Sequence, residues 1–217
     1  MRVRVKICCI SSVEEATLAI RMGADALGLV GKMPSGPGPI ADELIQSITR
    51  HIHPPVSSFL LTSEQSSTAI IQHIQRVNTN TVQIVDKLTE GSYSDIRKEL
   101  PHLGIVQVIH VRGEDSIDEA LAVHEMVDAI LLDSGNPKAA VKTLGGTGYT
   151  HNWAISKKIV ESVKVPVFLA GGLHPGNVKQ AISEVKPFGV DICSGIRTNG
   201  LLDPEKLAAF MNAVIHV

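Results

Sequence analysis

Eight apolar runs rich in β-branched and aliphatic residues recur at intervals of about 25 residues: RVRVKICC (2–9), ALGLV (26–30), VSSFLLT (56–62), TVQIV (81–85), GIVQVIHV (104–111), DAILLD (128–133), VPVFLA (165–170) and FGVDIC (188–193). Each has the length of a strand. Between them lie segments with helical spacing. In SVEEATLAIRMG (12–23), Val13, Ala16, Thr17 and Ile20 share one face, and in DPEKLAAFMNAV (203–214), Leu207, Phe210, Met211 and Val214 form one stripe. Helix boundaries carry the right residues: Ser11 or Ser12 stands ahead of Glu14 and Glu15, Pro204 and Pro175 fall near first turns, and Gly23 stands where a helix ends. Strand followed by helix, eight times, predicts an α/β chain folded as one (β/α)8 TIM barrel over residues 1–217. An open doubly wound sheet shares the same alternation and is the alternative.

Composition supports the buried parallel sheet. The chain is 44% hydrophobic, yet only four Phe, two Tyr and one Trp are present, so the core is built from Val, Ile, Leu and Ala. The formal net charge is −2 with basic residues scattered, which leaves no footprint for nucleic acid or a membrane surface and favours a small anionic metabolite as partner. No apolar run approaches the roughly 20 residues that span a bilayer, and no signal-like segment opens the chain. Three cysteines, two of them adjacent, do not make a disulfide framework, so a reducing cytoplasm is expected. Periodicity does not separate a monomer from a homodimer.

Two connections are unusual. GKMPSGPGPIADE (31–43) holds three prolines and three glycines, and the segment 134–152 is about three times the common connection length. Both follow strand C-termini, where barrel enzymes build their active sites, so both are lid candidates.

Strand alternation separates the two cysteines of VKICCI: Val3, Val5, Ile7 and Cys9 fall on the face toward the helices, whereas Arg4, Lys6 and Cys8 fall on the other. Cys9 is then expected as a packing residue, while Cys8, near Lys6 at the barrel mouth, is a candidate nucleophile or proton acceptor. Asp133 ends an apolar strand and, with Cys8, offers an acid and a base from different strand ends. In LAGGLHPGNV and VDICSGIRTNG, Gly171, Gly172, Ser194 and Gly195 are small enough for their backbone N–H groups to approach a phosphate. His110 is read as an ordinary hydrogen-bonding histidine and His151 as a helix-start residue; no zinc-ligand spacing is present.

VKICCI, GADALGLV, ILLDSG, GGTG, HNW, FLAGGLHPGNV and PFGVDICSGI, in this order, resemble the phosphoribosylanthranilate isomerase family over essentially the whole chain. The resemblance implies a cofactor-free Amadori rearrangement of N-(5-phosphoribosyl)anthranilate, with Asp133 as general acid, Cys8 as general base, and Gly171, Gly172, Ser194 and Gly195 holding the phosphate. The chain also departs from the pattern. Cys9 stands where the family commonly has glycine, Val85 where a histidine is frequent, and Arg197 where a glutamate is frequent; the second-strand loop lacks the arginine that holds the anthranilate carboxylate. Arg197 and Lys32 are the candidates to supply that charge. An isomerase or epimerase of another phosphorylated sugar or amino-sugar, and a non-catalytic phosphometabolite-binding barrel, remain as alternatives.

Overall fold

The computed structural model describes residues 2–135 and 151–215. Within them the apolar runs become strands β1 (Arg4–Ile7), β2 (Ala26–Val30), β3 (Ser57–Thr62), β4 (Thr81–Ile84), β5 (Gly104–His110), β6 (Ala129–Asp133), β7 (Val167–Leu169) and β8 (Gly189–Ile192). Each pairs in parallel with the next, and β1 pairs with β8, so the sheet closes into a barrel and the open-sheet alternative is excluded. The intervening helices are α1 (Val13–Arg21), α2 (Asp42–Thr49), α3 (Ser67–Val77), α4 (Tyr93–Glu99), α5 (Asp115–Val123), α6 (Trp153–Ser162) and α7 (Val178–Val185), with α8 (Pro204–Ile215) last. A 3-10 turn (Ser194–Ile196) and a small hairpin of β9 (Arg197–Thr198) and β10 (Leu201–Leu202) separate β8 from α8.

The strands alternate between two apolar layers. Val5, Ile7, Leu27, Leu29, Leu60, Val82 and Ile84 face the helices and are essentially inaccessible. Burial of each such side chain stabilises the fold by about 1.5–3 kcal/mol. Inside the barrel, Phe59 and Phe168 meet edge to face at 6.0 Å, and Val106, Val108, Ala129 and Leu131 fill the remaining space. Gly189 leaves room for the Phe168 ring, which lies 2.7 Å from where a Cβ would stand.

Local signals explain the helix ends. Ser12 caps α1 by accepting from the Glu15 N–H, and Asp203 accepts from the Glu205 and Lys206 N–H groups at the start of α8. Leu207, Phe210, Met211 and Val214 are the buried stripe of α8, as the spacing predicts. In α1 the buried face is centred on Ala16 and Ala19, while Thr17 is exposed and donates to the Val13 carbonyl, so Thr17 does not belong to the core stripe.

Candidate active site

A cleft opens at the C-terminal ends of the strands. It is lined by Cys8 and Cys9 after β1, Met33, Ser35 and Pro37 after β2, Gln83 on β4, Asp133 on β6, Gly171 and Gly172 after β7, and Asp191, Cys193 and Ser194 on and after β8. Cys8, Asp133 and three of the four phosphate-loop residues anticipated from sequence therefore converge; Gly195 is the next residue in the same turn.

Alternation sends Lys6 into the barrel, where it is fully buried and its Nζ lies 2.9 Å from Asp191 Oδ1 and 5.4 Å from the centre of the Phe59 ring. Burial alone would lower its pKa, but Asp191 and neighbouring groups outweigh it, and the ammonium is held charged. Cys8 lies one step above Lys6 on the same side. The space for both comes from Gly28 on β2: a Cβ there would stand 2.7 Å from Cys8 Sγ and 2.9 Å from Lys6 Nζ.

Cys9 departs from its expected place. Its φ of 61° is left-handed, so alternation stops after Cys8 and the side chain swings away from the helices into the mouth, where it lines the cleft. A position with this backbone favours glycine, which fits the residue common there in the family. Cys9 Sγ lies 2.6 Å from Cys193 Sγ, and a Cβ on Gly38 of the second loop would stand 2.7 Å from Cys9 Cβ, so the glycine there, with its left-handed φ of 78°, is what lets that loop lie against Cys9.

Asp133 is buried at the tip of β6, in register with His110. Its pKa is raised, chiefly by burial and further by Asp191; the Ser134 N–H, 2.7 Å from Oδ1, acts the other way, as do His110 and Lys6. A carboxyl group held in this way keeps its proton to higher pH than an exposed aspartate. His110 donates through Nε2 to the Val85 carbonyl at 2.9 Å, the ordinary role read from sequence.

The two glycine loops touch. A Cβ on Gly195 would stand 2.2 Å from the Leu173 carbonyl oxygen, so only glycine allows the turn after β8 to lie against the loop after β7. Asn177 shapes the latter loop, accepting from the His174 N–H at 2.8 Å and donating to the Gly172 carbonyl at 3.0 Å. The N–H groups of Gly171, Gly172, Ser194 and Gly195 enter no backbone hydrogen bond with a described residue, which leaves donors at the rim of the cleft.

Two other candidates are not brought to the cleft. Arg197 makes a fork with Glu15, Nη1 to Oε1 at 3.0 Å and Nη2 to Oε2 at 3.1 Å, and donates to the carbonyls of Gly200, Cys8 and Cys9. Nearly buried and with its Nη donors engaged, it ties the turn after β1 to the β9–β10 hairpin. Lys32 is exposed and does not line the cleft. Among the described residues the lining contains no lysine or arginine. The GGTG motif and most of segment 134–152 lie outside the described residues; His151 precedes the α6 cap residue Asn152, the helix-start place expected.

Asp191 and Gln83 were missed. Asp191 is the one charged residue in FGVDIC and Lys6 the last of three in RVRVKICC, and opposite charges on the apolar strands that close a barrel are a readable signal. Gln83 is buried, lines the cleft, and its Oε1 has no partner among the described residues.

A family model described as N-(5′-phosphoribosyl)anthranilate (PRA) isomerase matches residues 5–213. N-(5′-phosphoribosyl)anthranilate isomerase 2 of Methanosarcina mazei is 37% identical over 211 residues, covering 96% of this chain and 92% of its own. The isomerase of Methanopyrus kandleri is 34% identical over 224 residues, covering 97% and 98%. Among solved structures, phosphoribosylanthranilate isomerase from Thermotoga maritima superposes with a TM-score of 0.81 at 28% identity, over 99% of this chain and 100% of that one. Another, in complex with reduced 1-(o-carboxyphenylamino)-1-deoxyribulose 5-phosphate, gives 0.79 at 27% identity with the same coverage.

Proposed function

The chain belongs to the N-(5′-phosphoribosyl)anthranilate isomerase family, and from that premise we propose that it catalyses the Amadori rearrangement of N-(5′-phosphoribosyl)anthranilate to 1-(2-carboxyphenylamino)-1-deoxyribulose 5-phosphate in tryptophan biosynthesis. The observation that carries this reading is the convergence of Cys8 and Asp133 on one cleft rimmed by the two glycine loops. Asp133, as the protonated acid, donates its proton to the furanose ring oxygen while the C1–O bond breaks, giving the open-chain iminium. Cys8, as thiolate, removes the proton from C2; the electron pair forms the C1–C2 double bond and neutralises the iminium nitrogen. The resulting enolamine tautomerises to the ketone. A raised pKa suits the acid, which must still hold its proton near neutral pH.

The N–H groups of Gly171, Gly172, Ser194 and Gly195 receive the substrate phosphate at one side of the cleft. Gln83 offers its amide to substrate polar groups, which would satisfy the Oε1 left without a partner. Met33, Val30 and Leu61 supply an apolar wall for the aromatic ring.

The test is a fluorescence assay of phosphoribosylanthranilate consumption by wild type, Cys8→Ser and Asp133→Asn. Turnover by the wild type and a loss of at least 100-fold in kcat for each variant is the expected result. An inactive, folded wild type would overturn the reading, and an Asp133→Asn rate equal to wild type would overturn the acid assignment.

A further inference from the structure

We propose that Cys9 and Cys193 form a reversible disulfide that covalently joins the first strand of the barrel to the last. The two sulfurs stand 2.6 Å apart as free thiols, so reaching the roughly 2.05 Å of a disulfide needs a contraction of only about half an ångström. The topology brings them together. β1 and β8 are neighbours at the seam where the barrel closes, with Ile7 opposite Ile192, and the left-handed turn at Cys9 swings its side chain back toward the residue that follows Ile192.

The surroundings favour the exchange chemistry. Cys193 is the more accessible of the two and lines the open cleft, where a small oxidant can reach it. Its pKa is lowered by the hydrogen bond shared with Cys9 and by the Arg197 guanidinium beside it, against the opposing effect of burial; Cys9 is held protonated, chiefly by the same hydrogen bond. Cys193 is thus the thiol that reacts first and Cys9 the one that resolves.

The oxidant is a low-molecular-weight disulfide, RSSR. The Cys193 thiolate attacks one sulfur, the S–S bond breaks, and RS⁻ leaves to give Cys193–S–S–R. Cys9 passes its proton to the released RS⁻ and attacks the Cys193 sulfur, expelling the second RS⁻, which takes up the proton that Cys193 had lost to solvent. Two protein thiols are oxidised and one RSSR is reduced to two RSH. Cys8 is left as a thiol, since it is adjacent to Cys9 in sequence and not readily bridged to it.

The bond encloses nearly the whole chain between residues 9 and 193 and pins the turn after β1 to the turn after β8. Its consequence is resistance to unfolding, because a long loop loses the most freedom in the denatured state when cross-linked.

The experiment uses the full chain, reduced with dithiothreitol, freed of reductant and incubated with oxidised glutathione. The denatured protein is expected to fall from three titratable thiols to one, with a mass lower by two hydrogens, and its urea midpoint to rise by about 1 M, all reversed by dithiothreitol. Cys8→Ser retains the cross-link and falls from two thiols to none. Cys9→Ser and Cys193→Ser lose it; Cys9→Gly, suited to the left-handed backbone, serves where Cys9→Ser folds poorly. A thiol count that stays at three, glutathione adducts without a cross-link, or a cross-link that survives in Cys9→Gly would each overturn the proposal.

Discussion

Lys6 and Asp191 form an ion pair inside the barrel, between adjacent strands at its seam, with the lysine fully buried and the aspartate 8% exposed. Lys6 is shut off from solvent, and Asp191 meets it only through the cleft that it helps to line. Removing one partner leaves an uncompensated buried charge, at a cost of about 3–5 kcal/mol, whereas replacing both with apolar residues of similar volume costs much less. Lys6→Met and Asp191→Asn are therefore expected to lower the urea unfolding free energy by that amount each, and Lys6→Met/Asp191→Leu by clearly less than their sum. Additive losses would refute the pairing.

The same pair acts on Asp133, the proposed acid. Asp191 raises the Asp133 pKa and Lys6 lowers it. In Asp191→Asn the raising charge is gone and the lowering one stays, so Asp133 gives up its proton at lower pH. The alkaline limb of the kcat profile, which reports loss of the protonated acid, should move toward lower pH in Asp191→Asn than in wild type. An unmoved or upward-shifted limb would mean that Asp133 does not set it.

Arg197 and Glu15 are a structural fork, 9% and 11% exposed. Because the Nη groups of Arg197 face Glu15 and backbone carbonyls, Arg197→Met is expected to cost about 3 kcal/mol of stability while the KM of the folded enzyme changes less than threefold. Arg197→Lys should recover little of that stability, since an ammonium does not reproduce the two-pronged geometry. Steady-state kinetics beside urea denaturation separates this from a substrate-binding role, for which KM would rise and stability would hold.

Gly28 makes room for Cys8, the proposed base. The added Cβ in Gly28→Ala meets Cys8 Sγ and Lys6 Nζ closer than real contacts allow. Something must shift, at about 1–3 kcal/mol in stability. Displacement of Cys8 from the C2 proton should lower kcat by more than tenfold with KM little changed. Parallel measurement of Tm and kcat would expose the alternative, a loss of stability with unchanged turnover.

What the sequence made legible follows from periodicity. All eight strands were placed within a few residues, because burial on both faces of a closed sheet demands continuous apolar runs. The same alternation put Lys6 and Cys8 inside correctly. It failed at Cys9, since a single residue with positive φ ends the pattern and nothing in a cysteine's chemistry announces that backbone. Alternation says nothing of Arg197: a loop arginine near the mouth can serve a substrate or its own scaffold, and only the fold shows that Glu15, far away in sequence, meets it in a fork. Gln83 looked like any polar residue on a strand until its amide oxygen was seen in the cleft without a partner.

His151 should make stability depend on pH. It stands beside Gly171 and shares a hydrogen bond of 2.7 Å between Nε2 and the fully buried Ser156 hydroxyl, and burial pushes its pKa down to about 4. An unfolded histidine titrates near 6.5. Between about pH 6.5 and 4 the unfolded chain therefore binds the proton that the folded chain refuses, so stability falls as pH drops through this window and is unaffected by this group above it. The full effect is up to about 3 kcal/mol. His151→Gln can keep a hydrogen bond to Ser156 without titrating, so the difference in unfolding free energy between wild type and variant should be constant from pH 8 to 7 and shift in favour of the variant from pH 6.5 to 4.5. Urea denaturation at four pH values measures it, and a difference that stays constant over the whole range would show that His151 is protonated equally easily in both states.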